Sequence, residues 1–276
     1  NTFCVSKVAH DHNMKVVLSG LGGDEIFGGY KSFQKVPQMV EWGKKINTLP
    51  FLRTGLGLGL ERWGTSPKIK RLGGFLKQPP TFASAYNTFR GIFSHQEACM
   101  IINQLSISIP ILPPLVPPYQ GGNPESHSSS LPVQRGGLGW VSTPEDEVSF
   151  LELSGYMRNQ LLRDSDIMSM NWGLELRVPF VDKTLLEAVA PIPSNIRLAQ
   201  GKKLLTQAIT EIPDWVVNRP KKGFSFPFEN WMNSEFGDYF DNVHQNLNIP
   251  LNIPLNPWYR RWSLAILNHW WEQINS

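Results

Sequence analysis

The stretch "KVVLSGLGGDEIFGGY", from Lys15 to Tyr30, constrains this chain more than any other. A short apolar run breaks into a turn holding five glycines and two adjacent acids, Asp24 and Glu25. An apolar strand between helical segments is the habit of an α/β domain with a parallel sheet covered on both faces. Gly20, Gly22 and Gly23 let the backbone reach positive φ and let a ligand come close. Exposed N–H groups in such a turn form a nest for phosphate oxygens. Asp24 and Glu25 add hard oxygen ligands of the kind Mg²⁺ takes. The same residues also read as a plain strand-to-helix turn with Asp24 as the cap. The stretch is neither GxGxxG nor a P-loop, since no Lys-Ser/Thr follows.

Around this turn the pattern is helical. A helix is expected over about 2–12, with Phe3, Val5, Val8 and Ala9 on one side, then a strand over 15–19 and a helix from about 31. That strand is the only convincing one, so its sheet partners have to be found elsewhere. Residues 104–140 carry seven prolines with many serines and glycines, which predicts a loop-like insertion. "STPED" then signals a helix start, and Phe150, Leu153, Met157 and Leu161 follow at helical spacing. Further helices are expected over 181–190, over about 201–210, and from about 257 to the end.

Composition bounds the function classes. A net charge of +3 over 276 residues does not by itself argue for nucleic acid or an anionic membrane. No apolar stretch reaches the roughly 18–20 residues of a membrane span, and the opening residues lack the order of a signal peptide. Two cysteines, Cys4 and Cys99, are too few for a disulfide framework, so both are expected as plain buried thiols in a reducing, cytoplasmic compartment.

Two further stretches concentrate charge where apolar residues dominate. Residues 156–182 place Arg163, Asp164, Asp166, Glu175, Arg177 and Asp182 among buriable neighbours. Buried charges are paired or used, because isolated ones are costly. Glu175 and Arg177 read as a charged pair aimed into an interior cleft, or as part of a structural ion-pair network. Residues 218–228, "NRPKKGFSFPF", set Arg219, Lys221 and Lys222 beside Phe224 and Phe226. A lysine in a partly dry pocket clamps developing charge; the other reading is a solvated basic loop.

Taken in order, the three stretches resemble the synthetase domain of glutamine-dependent asparagine synthetases. The likeness rests on LSG-x-G-x-DE-x-FGGY (Leu18 to Tyr30), D-x-M-SM…LE-x-RVPF-x-D (Asp166 to Asp182) and RPKKGF-x-x-P (Arg219 to Pro227). It implies a partial PP-loop (adenine nucleotide alpha hydrolase-like) α/β domain with a large, mostly helical C-terminal portion. Residues 1–276 would be the C-terminal part of that synthetase domain, with the insertion inside it. It also implies ATP and Mg²⁺, aspartate as acceptor, and ammonia released from glutamine by an N-terminal glutaminase domain. The aspartate side chain would be adenylated with loss of pyrophosphate, and ammonia would then displace AMP. By matching motif, Ser19, Gly20, Gly22 and Gly23 would contact the nucleotide and Asp24 the metal. Lys221, Glu175 and Arg177 would serve the reacting centre. The resemblance implies no nucleic-acid or membrane partner and allows a homodimer.

Two departures qualify the likeness. The family's SGG-x-DS loop does not occur in the sequence, so the chain is expected to be a part of a longer synthetase and inactive alone. Where asparagine synthetases carry Glu after LSG, this chain has Leu21. A family member acting on another carboxylate, or an inactive remnant, stays open beside asparagine synthesis.

Overall fold

The computed structural model describes residues 1–47, 50–105, 143–220, 226–250 and 252–275. These form an α/β structure, mostly helical, with one small parallel sheet. In chain order come α1 (Thr2–Asp11), β1 (Val16–Leu18), α2 (Gly23–Ile26) and α3 (Ser32–Ile46). Then follow α4 (Pro50–Trp63), α5 (Pro67–Lys77), α6 (Phe82–Arg90) and α7 (His95–Gln104). The insertion expected over 104–140 lies, from residue 106 onward, outside the described residues.

The chain resumes with α8 (Pro144–Leu151), a π-helix (Glu152–Leu161), α9 (Leu162–Met170), β2 (Glu175–Arg177) and a 3-10 turn (Pro179–Val181). Short helices α10 (Lys183–Val189), α11 (Ser194–Arg197), α12 (Lys203–Ala208), α13 (Asp214–Val217) and α14 (Phe228–Asn233) come next. The last two are α15 (Gly237–Asn246) and α16 (Trp258–Asn275).

These elements divide into two units. The first takes the described residues within Asn1–Met39, Thr81–Ala83 and Pro113–Lys222. The second takes those within Val40–Pro80, Ser84–Leu112 and Gly223–Ser276.

In the first unit β1 pairs in parallel with β2, Val16 opposite Glu175, Val17 opposite Leu176 and Leu18 opposite Arg177. This supplies the sheet partner that the sequence left unplaced. Side chains alternate across a strand, so Val16, Leu18, Glu175 and Arg177 share one face, which is exposed, while Val17 and Leu176 are half-buried on the other. α8 begins as its start signal predicts. Thr143 accepts from Asp146 N–H at 3.2 Å, and the Asp146 carboxylate accepts back from Thr143 N–H at 3.3 Å. Pro144 stands at the first helical position.

The helix then passes into ten residues of π-helix. Its i→i+5 register widens the turn, so the stripe expected at Phe150, Leu153, Met157 and Leu161 is buried only in part. Of that stripe Met157 is buried, Leu153 and Leu161 are half-buried and Phe150 is exposed, while Val148, Leu151 and Glu152 are buried beside Met157. α1 also differs from expectation. It packs along α9 through the small buried side chains Ser6, Ser165 and Ser169, leaving Phe3, Val5 and Val8 on the open side. Cys4 shares that open side, and Cys99 lies exposed on α7, so neither thiol is buried as expected.

The second unit is helical. Its core joins α7, α14, α15 and α16 through Ile101, Met232, Phe240, Val243 and Leu264. Arg260 is fully buried beside this cluster. It donates to Glu97 at 2.8 Å and to the Ile92 carbonyl at 2.8 Å, with its guanidinium 4.3 Å from the Phe93 ring centre. Apart from this core, α4 and α5 form a tight helical hairpin whose contact point is Gly57 against Gly73.

Candidate functional site

The glycine turn leaves β1 at its carboxyl end, where ligands settle in parallel α/β sheets. Ser19 continues the ladder for one more bond, its N–H donating to the Arg177 carbonyl at 2.8 Å. The Ser19 hydroxyl accepts from Leu21 N–H at 3.4 Å, and Gly23 N–H closes the turn onto the Gly20 carbonyl at 3.3 Å.

The glycines of the turn serve different ends. A side chain added at Gly20 would meet no atom within 4 Å, so this backbone stands open. Gly22 has φ +97°, and a Cβ there would lie 2.9 Å from Val181 Cγ2 and 3.0 Å from Phe180 Cβ. Gly23 is also buried, over the Phe180 ring. Gly22 is therefore needed to seat α2 against the Pro179–Val181 turn, while a Cβ at Gly23 would make only ordinary contact with the Phe180 ring at 3.6 Å. That contact ties the first sequence motif to the second.

Behind the turn runs a set of buried polar brackets. Glu25 is buried and accepts from the Tyr30 hydroxyl at 2.9 Å, while Ser149 donates to the Glu25 carbonyl at 2.9 Å. Burial pushes the Glu25 carboxyl above the ordinary glutamate range, against the lowering effect of the Tyr30 hydrogen bond. Burial and then the Glu25 charge push the Tyr30 phenol upward as well. Ser32 donates to the buried Glu152 carboxylate on the π-helix. Arg197 reaches the Ile26 carbonyl at 3.1 Å and Asp146 at 2.6 Å.

Asp24 sits inside α2, after the Gly22 cap, so it is not the helix cap that the bland reading of the turn allowed. Its Oδ1 lies 3.1 Å from the Lys202 ammonium and covers Gly29, where an added Cβ would be 1.8 Å away. Lys202 is a site neighbour that the sequence reading missed. Its signal was "GKKLL" before a short helix, a glycine-lysine turn in which Lys202 adopts φ 57°. A depression of about 400 Å³ opens alongside, lined by Gly28, Gly29, Tyr30, Lys31, Gly201 and Lys203 among others.

Glu175 and Arg177 do pair, with Arg177 Nε donating to Glu175 Oε1 at 2.8 Å. The pair is not in an interior cleft, however. Both side chains are more than half exposed, because the sheet face that carries them is uncovered among the described residues. The Glu175 hydrogen bond and charge hold the Arg177 guanidinium more firmly protonated. Arg177 stands one ladder position from Ser19, so the second motif reaches the same carboxyl end of the sheet as the glycine turn. Lys221 lies outside the described residues, as does Phe224. Phe226, from the same basic stretch, is exposed and packs edge-on against Phe228 at 5.7 Å.

A nucleotide fits this turn better than a metal ion does. Open space lies beside the Gly20 backbone, whereas the Asp24 carboxylate is already met by an ammonium. Among the described residues no three His, Cys, Asp or Glu side chains gather to hold an ion.

The family model for asparagine synthase matches residues 1–261. "Asparagine synthetase [glutamine-hydrolyzing] 1" of Bacillus subtilis (strain 168) is 29% identical over 250 residues, covering 88% of this chain and 35% of that protein. The "putative asparagine synthetase [glutamine-hydrolyzing]" of Mycobacterium tuberculosis (strain ATCC 25618 / H37Rv) is 28% identical over 238 residues, covering 84% and 32%. The chain thus spans about a third of the length of the curated relatives it matches. No solved structure matches it. With nearly its whole length under that family model, and both the LSG and the RVPF motifs meeting at one end of the sheet, the chain belongs to the asparagine synthase family.

Proposed function

We propose that this chain is the C-terminal part of a synthetase domain in an ATP-dependent amide ligase. The reading is that it adenylates the side chain of aspartate for attack by ammonia, which a glutaminase domain of the full protein supplies. What carries it is the meeting of an open glycine backbone at Gly20 with a fixed cation, Arg177, at the carboxyl ends of two adjacent parallel strands. The family and the names of the relatives agree with it.

In this reading ATP supplies the adenylyl group, and pyrophosphate leaves. Ser19, Gly20, Gly22 and Gly23 form the turn that receives the nucleotide. Gly20 offers the approach, while Gly22 holds the turn's shape against Phe180 and Val181. Arg177, oriented by its hydrogen bond to Glu175, attracts a carboxylate of the acceptor and holds it near the turn. Lys221 is proposed to stabilise charge that develops at the reacting carbon. Asp24 is the carboxylate proposed for Mg²⁺, yet with Lys202 at 3.1 Å it does not fit an ion as it stands.

The test is pyrophosphate release from ATP by the full protein, with and without aspartate. Aspartate-dependent release, lost in Arg177→Ala with the fold intact, supports the reading. One observation favours a second acceptor. Leu21, half-buried beside Ser19, offers no carboxylate at that position. Release without aspartate dependence, restored by another carboxylic acid, would assign the chain to an amidotransferase of the same family.

A further inference from the structure

We propose that the outer face of the α4–α5 hairpin docks on an anionic lipid surface. Surface helices usually turn their apolar face inward; α4 does the opposite. At 100° per residue, Phe51, Leu52, Leu56, Leu58 and Trp63 fall with Gly55 and Gly59 in one arc of about 160°, centred opposite Gly57. Gly57 is the residue that faces α5. An added Cβ there would come within 2.9 Å of the Gly73 carbonyl oxygen, and one at Gly73 within 2.7 Å of that of Gly57. The polar groups of α4 follow the glycine inward. Glu61 pairs with Lys77 at 2.5 Å, and Arg53 donates to the Gln78 carbonyl at 3.1 Å.

The apolar arc is left in solvent. Phe51 is 94% exposed, Trp63 76%, Leu52 and Leu58 54% each and Leu56 45%. A groove of about 650 Å³ opens along it. Phe51, Gly55, Gly59, Trp63 and Ile69 line it, and the Thr65 hydroxyl and the Trp63 indole N–H are the polar side-chain groups in its lining. Such a groove has few directional groups with which to read a protein backbone, while acyl chains require none.

Charge selects the kind of surface. Between Pro50 and Gln78 stand six basic residues and one acid, Glu61. Arg71 is buried, Arg53 and Lys70 donate to backbone carbonyls and Lys77 pairs with Glu61, which leaves Arg62 and Lys68 as the basic groups for an outer surface. Arg62 lies within the apolar arc, and Lys68 is exposed just beyond Trp63. Basic groups beside aromatic and leucine side chains are the composition of helices that lie in an anionic membrane interface. A second copy would oppose the same positive patch to itself and be repelled. No helix among the described residues is long and apolar enough to cross a membrane, so the contact is one of lying on the surface.

The experiment is co-sedimentation of the full protein with phosphatidylcholine vesicles and with vesicles containing phosphatidylglycerol, at low and high salt. Binding to the anionic vesicles alone, weakened by salt, is expected. Arg62→Ala with Lys68→Ala should lower partitioning about 30-fold, from two lost surface charges. Leu56→Asp should abolish it while the circular dichroism spectrum stays unchanged. Absence of binding at low salt would overturn the proposal, as would equal binding by both variants. A dimer that forms without lipid and is lost in Leu56→Asp would overturn it in favour of self-association.

Discussion

The two units hold themselves together in different ways. In the helical unit, Ile101, Met232, Phe240, Val243 and Leu264 close over one another, and even the charge of Arg260 is sealed inside with its partner Glu97. In the unit with the glycine turn, the strands are barely covered. Val16 is 42% and Leu18 75% exposed, and the order comes from polar brackets set behind the turn. A packed apolar core gives stability without directing any group outward. Hydrogen-bonded brackets fix a turn from the back while leaving its front, at Gly20 and Arg177, exposed.

The sharpest way to break this contrast is to damage the sealed pair. Arg260→Met should cost about 3–5 kcal/mol, because it strands the Glu97 carboxylate in a buried setting. Adding Glu97→Gln to the same chain should recover part of that loss, since no buried charge then remains and the capping of Ser94 N–H survives. Denaturant titration of the wild-type, single and double variants measures it. A single variant as stable as wild type would mean that the pair is not enclosed.

In the other unit the vulnerable point is a backbone position. Gly28 has φ +73°, and an added Cβ would fall 2.4 Å from the Leu198 carbonyl oxygen. Gly28→Ala should therefore cost about 1–3 kcal/mol. Gly20→Ala, where nothing lies within 4 Å, should stay within about 0.5 kcal/mol of wild type and still slow ATP-dependent pyrophosphate release. If Gly20→Ala destabilised as much as Gly28→Ala, the front of the turn would not be open.

How much of this was legible in the sequence depended on how local each cause is. α1, β1, the capped start of α8 and the aromatic final helix all announce themselves within a few residues, and each is present. β2 did not, because "ELR" has two charges in three residues and becomes a strand only by pairing with β1, far away in the chain. The π-helix was hidden for a related reason: a pattern read at 3.6 residues per turn cannot show a change of register. The nucleotide-like turn was visible from its glycines. That Gly22 and Gly23 pack on Phe180 and Val181, or that Lys202 reaches Asp24, depends on contacts between distant residues that no local pattern encodes.

The brackets also make a pH prediction. With its pKa raised by burial, Glu25 favours folding most fully when protonated, below the ordinary glutamate value. That contribution is lost as pH rises through the elevated value. Glu25→Gln keeps an acceptor for Tyr30 and removes the titration. Its denaturation midpoint should therefore fall less than that of wild type between pH 4 and neutrality. Parallel curves for the two proteins would show that Glu25 is not held in its buried bracket.

The smallest expected effect sits on the sheet itself. Leu18 ends β1 with its side chain 75% exposed, on the face it shares with Glu175 and Arg177. Leu18→Thr introduces a β-branched residue suited to a strand and removes little buried surface, so in this chain it should shift stability by no more than about 0.5 kcal/mol. Leu264→Ala, made in the sealed core of the other unit, should cost about 2–5 kcal/mol. The ratio of these two losses measures how differently the units are built. A large loss for Leu18→Thr in the full protein would mean that another part of that protein covers this sheet face, which would then enclose the Glu175–Arg177 pair in the cleft that the sequence led one to expect.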